Sequence, residues 1–274
     1  GGIDVNGGLL TIAGDYRIQT ETITDGTVTY GLSNGFLKMD NDNDHVLVNG
    51  SFITQFSSSP YYNNFELLTK GVLEIKGDFR NEYGSNSSFN PEGTHKVVLS
   101  GDTMQKVSAK NFGKPYFNIL EITNTSEEGV EFETKTVITG SIKNNNSLLI
   151  NSKNIHLSKY AQINWNLWKD DLSFDGDRVL EKDIIIEGSL YVNTGVILLN
   201  GYTLSVNGDV VLSRGTMNIS GGSLLIDGDF RIQKETLLTD GSMDCSYSYG
   251  SLKMLNEFDY VYVGGDLLVY SMIN

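Results

Sequence analysis

The chain runs to 274 residues with a net charge of −14, 30 glycines, three prolines and a single cysteine. Such acidity argues against nucleic acid as a partner, since phosphate contacts need clustered Lys and Arg, and against anionic membrane surfaces. No apolar run reaches the roughly 18 residues that span a bilayer, no signal-peptide pattern is visible, and Cys245 has no second cysteine with which to form a disulfide or a cysteine-based metal site.

Residues 3–19 read as one turn of short strands: Ile3/Val5, Leu10/Ile12, a Gly14-Asp15 corner, then Tyr16/Ile18. Residues 20–34 are polar and are predicted to be a long excursion. The pattern resumes at 36–40 and 46–50, breaks at a loop over 57–64, and restarts at Gly71 with Leu73/Ile75, the Gly77-Asp78 corner and Phe79. A second polar loop is predicted over 82–93. Two strand-rich pieces follow, 95–108 and 116–126, joined by a short Gly/Pro loop. After 130–141 and 147–157 comes the least repetitive stretch, 158–182, which holds Trp165 and Trp168.

The clearest stretch is 183–232. Gly188, Gly208 and Gly228 fall 20 residues apart, and the apolar positions keep the same offset: Ile184, Leu204 and Leu224; Ile186, Val206 and Ile226; Leu190, Val210 and Phe230; Val192, Leu212 and Ile232. A period of about 20 with alternation inside it is the mark of a coil that stacks on itself. Each rung is expected to hold three short strands, with inward pairs Leu204/Val206, Val210/Leu212 and Met217/Ile219 and with Ser205, Val211 and Asn218 pointing out. Glycines 208, 215 and 221 are placed at corners, where φ > 0 would suit them. The fold class predicted is all-β, a parallel β-helix (β-solenoid), right-handed on general connection rules, with about 20 residues and three strands per rung and longer loop excursions. A β-sandwich also has short strands and Gly turns, but it does not explain the fixed offset.

A longer repeat lies above this one. Residues 7–22 match 221–236 at an offset of 214, and 36–50 match 251–265 at an offset of 215. The expected organisation is therefore most of one unit of about 215 residues over 1–182 and the start of a second over 183–274, one continuous solenoid cut from a longer repetitive protein. The segments LLIDGDFRIQ, SLKMLNEFDYVYVGGD, GTHKVVLSGDTMQKVS and FNILEITN resemble the repeats of large exported, multi-domain proteins of Firmicutes, especially clostridia, some of them similar to surface adhesins or toxin-bearing repeat proteins. The resemblance implies an extracellular or cell-surface location and carries over no catalytic residue.

The Gly-Asp corners (Asp15, Asp78, Asp102, Asp177, Asp209, Asp229 and Asp266) would form a Ca²⁺ ladder if cations bridged them. The preferred reading is a turn in which each carboxylate accepts its own local N–H, with Ser51 and Ser189 doing the same at equivalent corners. Asp40, Asp42 and Asp44 alternate as Ca²⁺ ligands would, but lack the downstream glutamate of an EF-hand loop. Trp165 and Trp168 with Tyr160, and separately Tyr61 with Tyr62, are candidate sugar-stacking platforms, with core filling as the competing role. Arg17 and Arg231 are expected to pair with the aspartates two residues before them. A cluster of Lys169, Asp170, Asp171 and Arg178 is conceivable on one face. With no catalytic motif and no cofactor signature, the chain is expected to be a non-enzymatic structural or adhesive module. Its partners would be flanking repeats, with host or cell-wall glycans or surface proteins as further candidates and end-to-end self-association of the fragment open. The alternative is a carbohydrate-binding or polysaccharide-active β-helix protein.

Overall fold

The computed structural model describes residues 1–55, 67–83, 89–110, 116–237 and 242–270. It is all-β with long parallel sheets, and among the described residues the one helical element is a 3-10 turn at Ser152–Asn154. The chain forms two compact units, residues 1–154 and 155–274. This division by contact is distinct from the division by sequence repeat at 182/183.

In the second unit the chain visits three parallel sheets in turn. One holds Leu167–Trp168, Ile184–Ile186, Thr203–Val206, Ser223–Ile226 and Tyr260–Val263; the next includes Leu172–Asp175, Leu190–Thr194, Val210–Leu212, Phe230–Ile232 and Leu267–Val269; the third holds Arg178–Val179, Val196–Leu198, Thr216–Asn218 and Ser251–Lys253. Over 184–231 the 20-residue offset is the register of these sheets: Leu204 pairs with Ile184 and Leu224, Val206 with Ile186 and Ile226, and Val210 with Leu190 and Phe230. Side chains alternate across a strand, so each strand turns its i and i+2 residues inward. Leu204, Val206, Val210, Leu212, Met217 and Ile219 are all buried, as their pattern predicts.

The first unit follows the same scheme with longer circuits. Leu9–Ile12, His45–Val48, Val72–Ile75 and Lys96–Leu99 pair in parallel, with Val46, Leu73 and Val97 in one register row. Phe52–Thr54, Phe79–Asn81 and Gln105–Ala109 form the next face. Its inward aromatic rings stack from one circuit to the next, Tyr16 on Phe52 at 5.5 Å and Phe52 on Phe79 at 5.8 Å between centroids.

Several expectations need correction. Val211 lies on the outer side of its strand, yet it is 1 % exposed. Its register neighbours are Tyr191 and Arg231, and Ile53 in the first unit is likewise flanked by Arg17 and Arg80; long side chains laid along a sheet cover small apolar residues between them. The excursion at 20–34 is not irregular: Thr20–Thr24 and Thr27–Gly31 form an antiparallel hairpin closed by Asp25-Gly26, both at φ > 0, the type I′ geometry that matches strand twist. The predicted polar loop over 82–93 contributes Phe89 to the core, where it meets Phe79 at 4.9 Å and Phe52 at 5.5 Å. The loop predicted over 57–64 lies outside the described residues.

The corner glycines divide: Gly221 has the expected positive φ, at 78°, but Gly215 does not. Gly208 and Gly228 are not at positive φ. They are required by close approach: a Cβ on Gly77 would sit 2.5 Å from the Gly50 carbonyl carbon, and one on Gly228 would strike Asp209 Oδ1 and the Gly208 carbonyl.

Candidate functional site

The corner aspartates are the most repeated polar feature, and most of them are bonded to the circuit that follows. Asp171 Oδ1 accepts the Ser189 N–H at 2.8 Å, Ser189 Oγ the Asp209 N–H at 3.1 Å, Asp209 Oδ1 the Asp229 N–H at 2.8 Å, and Asp229 Oδ1 the Asp266 N–H at 2.9 Å. The first unit repeats the pattern through Asp15 to Ser51 N, Ser51 Oγ to Asp78 N, and Asp78 Oδ1 to Lys106 N. The expected local turn is thus replaced by a bond to the next circuit, because glycine brings successive corners so close that the carboxylate reaches the neighbouring N–H before its own. Serine and aspartate alternate freely, since only an acceptor oxygen is needed. The outer carboxylate oxygens meet arginines: Arg17–Asp15 at 2.6 Å, Arg80–Asp78 at 2.5 Å, and Arg231 with Asp209 and, at 3.8 Å, Asp229. The Ser51 N–H first, and Arg17 after it, hold Asp15 below the usual carboxylate range. At Asp102 the scheme lapses: that residue is exposed, and Gln105 instead accepts the Gly101 N–H and donates to the Ile75 and Gly77 carbonyls.

Asp40, Asp42 and Asp44 do not converge. Asp40 pairs with Lys38 at 2.9 Å, and Asp42 with Lys70 at 3.2 Å. Asp44 is buried and accepts the N–H groups of Gly7 and Asn41. Asp259, its counterpart in the longer repeat, does the same for Gly221, Leu255 and Asn256. Partial burial would raise Asp259, but these three donors outweigh it and its pKa falls below the ordinary value. Asp44 and Asp259 are therefore turn staples. Among the described residues no group of three or more His, Cys, Asp or Glu side chains is placed to hold a metal ion.

A wide cleft lies in the second unit, about 640 Å³ in volume, between 159–164 and 177–184. It forms where the chain departs from the 20-residue pattern. Tyr160 lies on it with 71 % of its surface exposed, and Lys159 Nζ stands 4.9 Å above its ring. Arg178 braces the cleft wall. It is buried, donates at 2.7 Å to the Ala161 and Ser158 carbonyls and lies 4.8 Å over the Phe174 ring. Burial lowers its pKa to about 10. Trp165 and Trp168 do not join Tyr160 at the cleft. Their rings pack on each other at 5.3 Å, and Trp168 is buried with its indole N–H donated to the Asp171 carbonyl. Tyr61 and Tyr62 lie outside the described residues. Lys169, Asp170, Asp171 and Arg178 are divided between tasks: Asp171 serves the corner ladder, Arg178 the cleft wall, while burial first and then Asp171 raise Asp170 to about 6.

A serine, a glutamate and a histidine do meet in the first unit. Glu74 accepts from Ser100 Oγ at 2.7 Å and contacts His45 Nε2 at 3.2 Å. The carboxylate stands between the other two, whereas a nucleophile needs its base beside it and the acid behind the base. No protein-family model, curated protein or solved structure matches this chain.

Proposed function

We propose that the chain is a non-enzymatic structural or adhesive module of a larger exported or cell-surface protein, built as a parallel, right-handed β-solenoid with about 20 residues and three short strands per rung. In this reading stacked rungs make a stiff scaffold, flanking repeats continue it, and the hairpins and loops on its surface are what a partner meets. The observation that carries it is the corner ladder. The same acceptor-to-next-circuit bond recurs from Asp171 to Asp266, so the repeated polar residues are committed to stacking. The resemblance to clostridial repeat proteins, carried by the sequence segments quoted above, supports an extracellular or surface location.

The alternative, a carbohydrate-binding or polysaccharide-active protein, draws on the exposed Tyr160 ring at the 159–184 cleft. One measurement tests the stacked architecture common to both readings, and a second separates the non-enzymatic reading from the polysaccharide-active one. Pulled from its ends, a stacked scaffold lengthens in steps of roughly 70 Å, one 20-residue rung drawn out at about 3.4 Å per residue. Incubated with a panel of plant and bacterial polysaccharides, it releases no new reducing ends. Steady release of sugar ends that Tyr160→Ala abolishes would overturn the non-enzymatic reading.

A further inference from the structure

A second, smaller cleft carries a more specific chemistry. It has a volume of about 310 Å³ and is lined by Ser213, Arg214, Lys234, Ser246, Tyr247 and Tyr249. It lies beside the hairpin of Lys234–Leu237 and Met243–Ser246, whose register sets Lys234 opposite Ser246. The alternation that follows explains the tyrosines. Ser248 turns inward, 1 % exposed, and its hydroxyl lies 2.8 and 2.6 Å from the Leu212 and Ser213 carbonyls and accepts the Gly250 N–H. Its neighbours must therefore face out, and Tyr247 and Tyr249 are 59 % and 66 % exposed. Tyr247 is braced on one side by Tyr270 at 5.4 Å.

The fold does not require these rings. At the offset of 215, Tyr247, Ser248, Tyr249 and Gly250 correspond to Leu32, Ser33, Asn34 and Gly35. Ser33 again accepts the following glycine's N–H, so the structural serine recurs while the tyrosines do not. The lining also stands apart in charge: it holds two cations and no carboxylate, in a chain of net charge −14.

We propose that this cleft is a binding site for an acidic saccharide, one sugar ring lying against Tyr249 or Tyr247 and its carboxylate held by Arg214 and Lys234. The guanidinium fork matches a carboxylate in two-point contact, an exposed tyrosine offers flat apolar area to a sugar face, and the hydroxyls of Ser213 and Ser246 supply hydrogen-bonding partners for the sugar's own. The volume falls at the lower end of the range for small-ligand pockets, which suits one or two sugar units.

The test is calorimetric titration of the 1–274 chain with tri-galacturonic acid, its methyl ester, inorganic phosphate and a poly-glutamate peptide. The expected result is saturable 1:1 binding of the acid, at least tenfold weaker binding of the ester, and weakening as salt is added. Arg214→Gln should lower affinity tenfold or more. So should the double variant Tyr247→Leu/Tyr249→Asn, which installs the residues of the other repeat and so keeps a backbone already seen to fold. Tyr160→Ala should change nothing. No binding of the acid overturns the proposal, as does equal binding of the ester. Displacement of the acid by equimolar phosphate or by the peptide would reduce the site to a general anion patch and likewise overturn it. Loss on Tyr160→Ala alone would move the site to the larger cleft.

Discussion

At the corners, the decisive contact is made by a residue with no side chain. Gly228 lies against Asp209 Oδ1 and the Gly208 carbonyl, so a methyl group there must push apart two circuits joined by the Asp209–Asp229 bond. Gly228→Ala should lose roughly 1–3 kcal/mol, the usual range for overpacking, although alanine is ordinarily favourable in a chain free to adopt it. Urea unfolding of the variant checks this, and a neutral or stabilising result would remove close approach as the reason for the corner glycines. Two titrating groups act in opposite directions. Burial lowers His95 to about 4, so the unfolded chain binds its proton first and stability falls as pH drops from about 6.5 to 4. Asp170 is raised to about 6. Its folded form takes the proton first, and stability falls as pH rises from about 4 to 6. Asp170→Asn should therefore raise the unfolding midpoint at pH 7 and leave it unchanged near pH 3.5. An equal gain at both pH values would show that the carboxyl is not shifted.

The strands differ in how much they depend on their neighbours. Thr203–Val206 is paired on both sides, with Leu204 fully buried. An aspartate at that position would be a buried charge with no partner, so Leu204→Asp should abolish cooperative melting of the second unit. Among the described residues Leu267–Val269 is paired on one side only, and it is exposed throughout. Leu267→Asp should shift the melting temperature by no more than a few degrees. Thermal denaturation followed by circular dichroism distinguishes the two, and similar losses in both would argue against a core supported circuit by circuit. The hairpin Thr20–Thr24/Thr27–Gly31 is exposed along nearly its whole length. It owes its form to the Asp25-Gly26 turn, a signal present in the sequence but read there only as polarity. Phe89 shows the converse: one aromatic among polar residues gives no periodic signal, and only the space between Phe52, Phe79 and Phe117 explains its burial.

For the chain as a whole, net charge is the property that no single contact reveals. An excess of 14 negative charges repels itself in the folded state, and screening shortens its reach to about 8 Å at physiological salt. Raising NaCl from 10 to 300 mM should increase the melting temperature, even though it weakens surface pairs such as Lys106–Glu131 and Lys143–Glu121. A fall would mean that those pairs outweigh the repulsion. The 20-residue offset alone determined the register of Leu204 with Ile184 and Leu224, because inward side chains in stacked parallel strands must be equivalent. It also determined which residues face the core, through strand alternation. Tertiary structure decided the rest: where each corner oxygen finds its N–H, that Trp168 is buried while Tyr160 lies open, and that Arg214, Lys234, Tyr247 and Tyr249 share one cleft. Those outcomes depend on distances between segments far apart in the chain, and periodicity records only which side of a strand a residue faces.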